Sequence, residues 1–317
     1  MSRASTIYPA DRVTLREVGL RDGLQIAKSL PSTEAKIAWL EAECAAGVGH
    51  YEVGSFLPAS RFPQFADIDA VIAASERLDV HSAGLTLNER GAEAAVQSAI
   101  REMVCVVSAT EEHSQANMRR SRDAAVDLVR NVVAMRDHHA PDKLVNAGIA
   151  MALGCSISGN VDPEEVVRLA ADCLEAGADI VGVADTVGYA GPKAVGALCA
   201  RMEKLCGGQP FIIHLHDTRG MGVANAAAAL ESGARVIDAS LGGLGGCPFA
   251  PGATGNVVFE DIVYLSESMG FATGIDLDRL KDARRIAEEA MPGEMFHGAL
   301  HRAGPPKNAN WQAKSLV

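Results

Sequence analysis

The chain is 317 residues long, 48% hydrophobic and only 4% aromatic, with a formal net charge of −11. That length admits two ordinary domains or one (β/α) barrel of about 250 residues, and the acidic balance argues against nucleic acid as the main partner. Seven cysteines, odd in number and without a Cys-x-x-Cys pair, exclude a disulfide framework and a zinc ribbon and imply a reducing, cytoplasmic setting. The first residues carry no apolar stretch of the signal type. No apolar run reaches the roughly 18 residues a membrane helix needs, so no membrane contact is expected.

Strand-like apolar runs fall at 13–17, 50–54, 80–85, 103–107, 145–151, 180–184, 211–215 and 235–240. Helical patterns lie between them at 32–46, 68–77, 89–98, 120–137, 163–176, 192–206 and 221–232. Gly47, Gly177 and Gly233 follow helix ends, where glycine supplies the left-handed residue that turns the chain back. Pro163 and Pro192 stand where a helix opens. Eight such units point to an α/β fold, a (β/α)8 TIM barrel with its site at the C-terminal ends of the strands. The open doubly wound sheet competes, but no Gly-x-Gly-x-x-Gly opens the first crossover. The barrel spans 1–291, and the Gly-, Pro- and Asn-rich tail, 292–317, is expected to pack loosely.

Three polar clusters fall at matching places on this frame. Arg21-Asp22-Gly23 follows the first strand, His214 and His216 end the seventh, and Asn256 closes a glycine-rich stretch after the eighth. Alternation along a strand puts both imidazoles on one face. Barrel closure sets strand eight beside strand one, so Asp22, the two histidines and an amide oxygen surround one point. Such a mixed oxygen and nitrogen set suits Mg²⁺, Mn²⁺ or another divalent cation. Each cluster alone has a plainer reading: a surface ion pair for Arg21-Asp22, polar strand-end residues for the histidines, a packing thiol for Cys247. Glu52, in an apolar strand, needs a cationic partner if it points into the barrel. His113, His138, His139, His297 and His301 show no spacing pattern and are expected at the surface.

Several motifs together resemble the 3-hydroxy-3-methylglutaryl-CoA lyases, within the TIM-barrel metallolyases and Claisen-type synthases. They are Glu17-Val-Gly-Leu-Arg-Asp-Gly-Leu-Gln25, Tyr51-Glu-Val-Gly-Ser-Phe56, Ala152-Leu-Gly-Cys155, Asp185-Thr-Val-Gly188, His214-Leu-His-Asp-Thr218 and the loop from Gly242 through Cys247 to Asn256. The resemblance covers about residues 12–290. It implies a metal-dependent carbon–carbon lyase that cleaves a 3-hydroxy-3-methylglutaryl-CoA-like thioester by retro-Claisen chemistry to acetyl-CoA and a keto acid. It also implies that Asp22, His214, His216 and Asn256 bind Mg²⁺ or Mn²⁺, and that Arg21, held by Glu52, stabilises an enolate. Asp22 or His214 would take a proton, and Cys247 would work in proton transfer on a mobile loop. Arg21, Gln25, Lys28 and Asp185 are the implied substrate contacts, and an acyl-CoA thioester the partner. The alanine-rich helices leave room for a homodimer.

The same barrel also runs Claisen-type condensing acyltransferases and hydroxy-oxo-acid aldolases, and a binding-only barrel is a third reading. The end of the chain soon after the barrel and the Gly-Gly-Cys-Pro loop favour the lyase. Three places depart from the family's usual pattern. Ile26-Ala27 stands where Asn-Glu is usual, Asn146-Ala-Gly-Ile-Ala-Met151 replaces an Arg-Gly-Tyr-Val-Ser type run, and Gly182 replaces a serine. These positions belong to the barrel mouth, which brings a longer or less polar 3-hydroxyacyl-CoA into view.

Overall fold

The computed structural model describes residues 2–245 and 255–306. A short helix, α1 (Arg3–Ile7), precedes β1 (Thr14–Glu17), α2 (Thr33–Ala45), β2 (His50–Ser55) and α3 (Ile68–Arg77). Next come β3 (His81–Leu85), α4 (Glu89–Gln97), β4 (Glu102–Ser108), α5 (Glu111–Met118), α6 (Arg122–His139) and β5 (Leu144–Ala150). The barrel is completed by α7 (Pro163–Glu175), β6 (Ile180–Asp185), α8 (Pro192–Cys206), β7 (Ile212–Leu215), α9 (Gly222–Glu231) and β8 (Val236–Ala239). Helices α10 (Phe259–Ser268), α11 (Leu277–Ala290) and α12 (Ala299–Ala303) follow. Every strand pairing is parallel, and β1 pairs with both β2 and β8. The expected (β/α)8 TIM barrel is the fold.

Local chemistry sets the element ends. Asp162 caps α7 by accepting from the Glu164 N–H at 3.0 Å, and Pro163 fills the first helical position, which needs no N–H partner. Gly47, Gly177 and Gly233 adopt φ of 97°, 99° and 98°, the left-handed stops read from the helix-end pattern. At Gly47 a side chain is also excluded by space, because a Cβ there would overlap the Gly274 carbonyl oxygen.

The barrel interior is layered. At its N-terminal end Ala4 and Tyr8 pack on Leu144, Ile180, Ile212 and Val236. Above them lies a buried polar layer in which Arg16 meets Glu102 at 3.3 Å and Asp238 at 3.4 Å. Glu102 also accepts from Tyr8 at 2.6 Å and Asn146 at 2.8 Å, and meets His81 at 2.9 Å. Burial opposes its ionisation, but Arg16 and His81 hold its carboxyl well below the usual range. This layer floors the cavity that opens at the other end.

Composition predicts a loosely packed tail, yet residues 292–303 are held by polar bonds. Glu294 accepts from the Lys28 and Ser29 N–H groups at 2.6 and 2.9 Å. Asp261 accepts from Ala299 and Leu300 at the start of α12, at 2.9 and 2.8 Å. Carboxylate-to-backbone bonds do here what apolar periodicity would otherwise do, and composition does not show them. Residues 307–317 lie outside the described residues.

Candidate metal centre and active site

The chain leaving β1 makes one turn of π-helix, Gly19–Gly23, which turns Arg21 and Asp22 toward the barrel axis. Such turns insert an extra residue and recur at functional sites. Glu17 anchors the turn: its Oε1 accepts from the Gly19 N–H at 2.6 Å and from the Leu241 N–H, just after β8, at 3.2 Å. One carboxylate thus ties the segment bearing Asp22 to the segment leading to Asn256.

The ligand atoms of Asp22, His214 and His216 lie within 4.8 Å of one another. His214 Nε2 and His216 Nε2 are 3.0 Å apart, and His216 Nε2 is 3.6 Å from Asp22 Oδ2. His214 Nδ1 faces Asp238 Oδ2 at 3.1 Å, so its proton sits there and its Nε2 presents a lone pair. Burial disfavours charge on His214, but Asp238 and Asp22 outweigh it and raise its basicity. Burial likewise opposes ionisation of Asp22, but Arg21 and the two imidazoles hold its carboxyl well below the usual range. Asn256 comes from 234 residues away, its Nδ2 2.8 Å from Asp22 Oδ2, while its buried Oδ1 has no hydrogen-bond partner. The same amide nitrogen donates to the Leu244 carbonyl oxygen at 2.9 Å, so the context turns the nitrogen toward Asp22. Two imidazole nitrogens and a carboxylate converge on one point, the donor set a divalent cation takes, so these three residues fit a metal.

Arg21 sits beside this set, 2.6 Å from Glu52 Oε2 and 2.5 Å from Asp22 Oδ1. Burial raises the Glu52 carboxyl, against the opposing pull of Arg21. The cationic partner that Glu52 requires is therefore in place. Gln25 accepts from Arg21 at 3.2 Å and lines the cavity.

A family model described as HMGL-like matches residues 12–287. The chain belongs to the HMGL-like family. It is 35% identical over 285 residues to the hydroxymethylglutaryl-CoA lyase YngG of Bacillus subtilis, covering 90% of this chain and 94% of that protein. It is 36% identical over 308 residues to the (R)-citramalyl-CoA lyase of Chloroflexus aurantiacus, covering 93% and 96%. An HMG-CoA lyase from A. baumannii, solved with coenzyme A and 3-methylmalate, superposes with a TM-score of 0.87 at 34% identity, covering 95% of this chain and 98% of that one. The family read from the motifs is borne out.

In this HMGL-like barrel not every candidate residue reaches the cavity. Lys28 is exposed, and the cavity lining does not include it. Asp185 is fully buried, and its carboxylate accepts from the Tyr189 and Ala190 N–H groups at 2.9 and 3.0 Å. Strand alternation gives the reason: Ala184 and Thr186 line the cavity, which turns Asp185 away. Cys247 lies outside the described residues. His113, expected at the surface, is buried, sits 2.7 Å from Ser108 Oγ and lines the cavity from α5. Arg16 and Asp238 carry their own trace in the sequence, as charges inside apolar strand runs, and both line the cavity floor. Cys155 stays in a packing environment, its sulfur accepting from Thr110 at 3.3 Å and from Ile157 at 3.4 Å.

Behind the π-turn, Glu17 faces the fully buried Glu43, which has the Trp39 indole and Glu17 as its polar neighbours and no cation among the described residues. Burial pushes Glu17 up to about 8 and raises Glu43 well above its ordinary value, so the pair retains bound proton at neutral pH. The unfolded chain releases that proton near 4.5. The pair therefore stabilises the fold fully below 4.5, and that contribution is lost as pH rises through about 8. Glu43→Gln should flatten the fall of Tm across this window by a few degrees, read by calorimetry at successive pH values. A wild-type slope in the variant would mean that the pair holds no proton.

Proposed function

We propose that this chain is a divalent-metal-dependent carbon–carbon lyase that cleaves a 3-hydroxy-3-methylglutaryl-CoA-like thioester by retro-Claisen chemistry to acetyl-CoA and a keto acid. The convergence of Asp22, His214 and His216 beside the Arg21–Glu52 pair carries this reading. The names of the similar lyases support it. In the reaction the C2–C3 bond breaks, its electron pair passes to the thioester enolate, the tertiary hydroxyl loses its proton and C3 becomes a ketone. Mg²⁺ or Mn²⁺ held by Asp22, His214, His216 and Asn256 would lower the pKa of that hydroxyl.

The protein's own groups do the rest. His214 or Asp22 takes the proton. Asp22 has a second carboxylate oxygen to offer beside the one that would hold the metal. His214, its Nδ1 held by Asp238, can do so only through an Nε2 that the metal leaves free. Arg21 stabilises negative charge on the thioester oxygen, while Glu52 holds the guanidinium in place. Cys247, in a Gly-Gly-Cys-Pro sequence outside the described residues, is the proposed proton donor to the acetyl carbanion. Gln25 and Arg21 contact substrate at the cavity, and Lys28, exposed and outside the lining, can contact only a part of the substrate that extends beyond it. The reading places the enzyme in the cytoplasm, in keeping with six free cysteines among the described residues. Among those residues no helix is long and apolar enough to cross a membrane. A second copy of the chain, packed through alanine-rich helix faces, completes the proposed partners.

A panel of 3-hydroxyacyl-CoA thioesters, incubated with Mg²⁺ or Mn²⁺ and followed by mass spectrometry, tests the reading. Acetyl-CoA should appear only with metal, stop on chelation and resume on metal return. No acetyl-CoA from any thioester would overturn it.

A further inference from the structure

Two glycines lie side by side on the inner barrel wall, on strands that contribute none of the proposed ligands. The register aligns Val106 of β4 with Gly148 of β5, Gly148 with Gly182 of β6, and Gly182 with Ile212 of β7. Between Val106 and Ile212 the row carries no side chain of its own. At Gly182 the Ile212 side chain comes within 3.3 Å of where a Cβ would stand, so the open furrow lies over Gly148. Neither glycine has a positive φ, so no turn demands it. Glycine inside a strand weakens it, and its use often marks the close approach of a ligand or another backbone. No protein group makes that approach at Gly148: a Cβ built there meets only the Cys105 carbonyl oxygen, at 3.7 Å.

Gly148 and Gly182 line the same cavity of about 190 Å³ as Arg21 and the ligand set. Leu85 and Val104, with Leu87 and Val106 against them, form an apolar cluster on the adjoining wall. The cationic Arg and Lys side chains that line the cavity, among the described residues, are Arg16 and Arg21, and both already pair with buried carboxylates. A carboxylate aimed at the furrow would lose its hydration and meet no unpaired Arg or Lys among the described residues. An alkyl chain would gain severalfold in affinity for each methylene buried there.

Resting on the lyase reading above, we propose that Gly148 determines specificity, the furrow over it taking an apolar chain longer than methyl on C3 of a 3-hydroxyglutaryl-type CoA thioester. The bonds broken and formed are unchanged, and the released keto acid carries the chain. The test compares 3-hydroxy-3-methylglutaryl-CoA with its 3-butyl counterpart on wild type and Gly148→Val. In parallel, 3-butylglutaryl-CoA, which lacks the hydroxyl and cannot be cleaved, is titrated by calorimetry. Three added methylenes predict at least about tenfold higher kcat/KM for the butyl substrate in wild type. Gly148→Val should shift that ratio about tenfold or more toward methyl and weaken the uncleavable analogue to a similar degree. Valine suits a strand, and Gly148→Ala gives a smaller shift in the same direction should valine not fold. A wild-type preference for the methyl substrate, with a ratio neither variant moves, overturns the furrow and leaves the lyase standing. If neither thioester is cleaved, the lyase reading falls and the titration alone decides: equal affinity in wild type and variant overturns the furrow.

Discussion

Replacing His216 by alanine should abolish tight binding of Mn²⁺ and Mg²⁺ while the barrel stays folded. The imidazole sits 3.0 Å from His214 Nε2 and 3.6 Å from the Asp22 carboxylate, between the other ligands. Its loss therefore opens the centre of the set and not its edge. Removing a partner behind a ligand typically costs about 10–100-fold in metal affinity, so loss of a direct ligand should exceed that. The fold survives because Asp22 keeps Arg21 and Asn256, so no buried charge is left without a partner. A metal that binds only the native state raises Tm with concentration, which gives a readout independent of turnover. Wild type should show that rise and His216→Ala should not. Full metal occupancy in the variant would falsify the ligand assignment.

Arg21→Met should lower kcat by about 10²–10³-fold, the usual cost of one oxyanion-stabilising donor, while metal affinity changes far less. Charge on the thioester oxygen develops mainly in the transition state, so an interaction made there appears in kcat more than in KM. Glu52 tolerates the loss by taking up a proton, because burial already raises its carboxyl and only Arg21 and the more distant Arg16 oppose this. Arg21→Lys should rescue poorly. A single ammonium cannot reach Glu52 at 2.6 Å, Asp22 at 2.5 Å and Gln25 at 3.2 Å together, as the planar fork does. Steady-state kinetics beside Mn²⁺ titration decides the matter. Equal losses in kcat/KM and in substrate affinity, with kcat untouched, would make Arg21 a substrate anchor.

Much of the fold was legible because its determinants are local. Strand alternation, helix-ending glycines at Gly47, Gly177 and Gly233, and helix-opening prolines act within a few residues. The histidine pair was legible for the same reason, since the two positions are separated by one strand residue. The motifs around Arg21, Asp22 and Asn256 added the family. Less of the site's periphery could be read. The fate of Asp185 depends on its strand's phase, and the burial of His113 depends on where a short helix lands over the barrel mouth.

By itself the sequence determined the number and order of the strands, seven of the helices that follow them, the residue types able to hold a divalent cation, and the membership of the HMGL-like family. Only the tertiary structure decided which of those residues meet. Closure of β8 on β1 brings Asn256 to Asp22 and places Glu17 against both segments. Register decided that Arg16, Asp238 and His214 share one inner row, and that Ile212 packs over Gly182 while the wall at Gly148 stays open. The physical reason is that contacts across a closed barrel depend on shear and strand phase, properties of the whole sheet. No window of neighbouring residues encodes them.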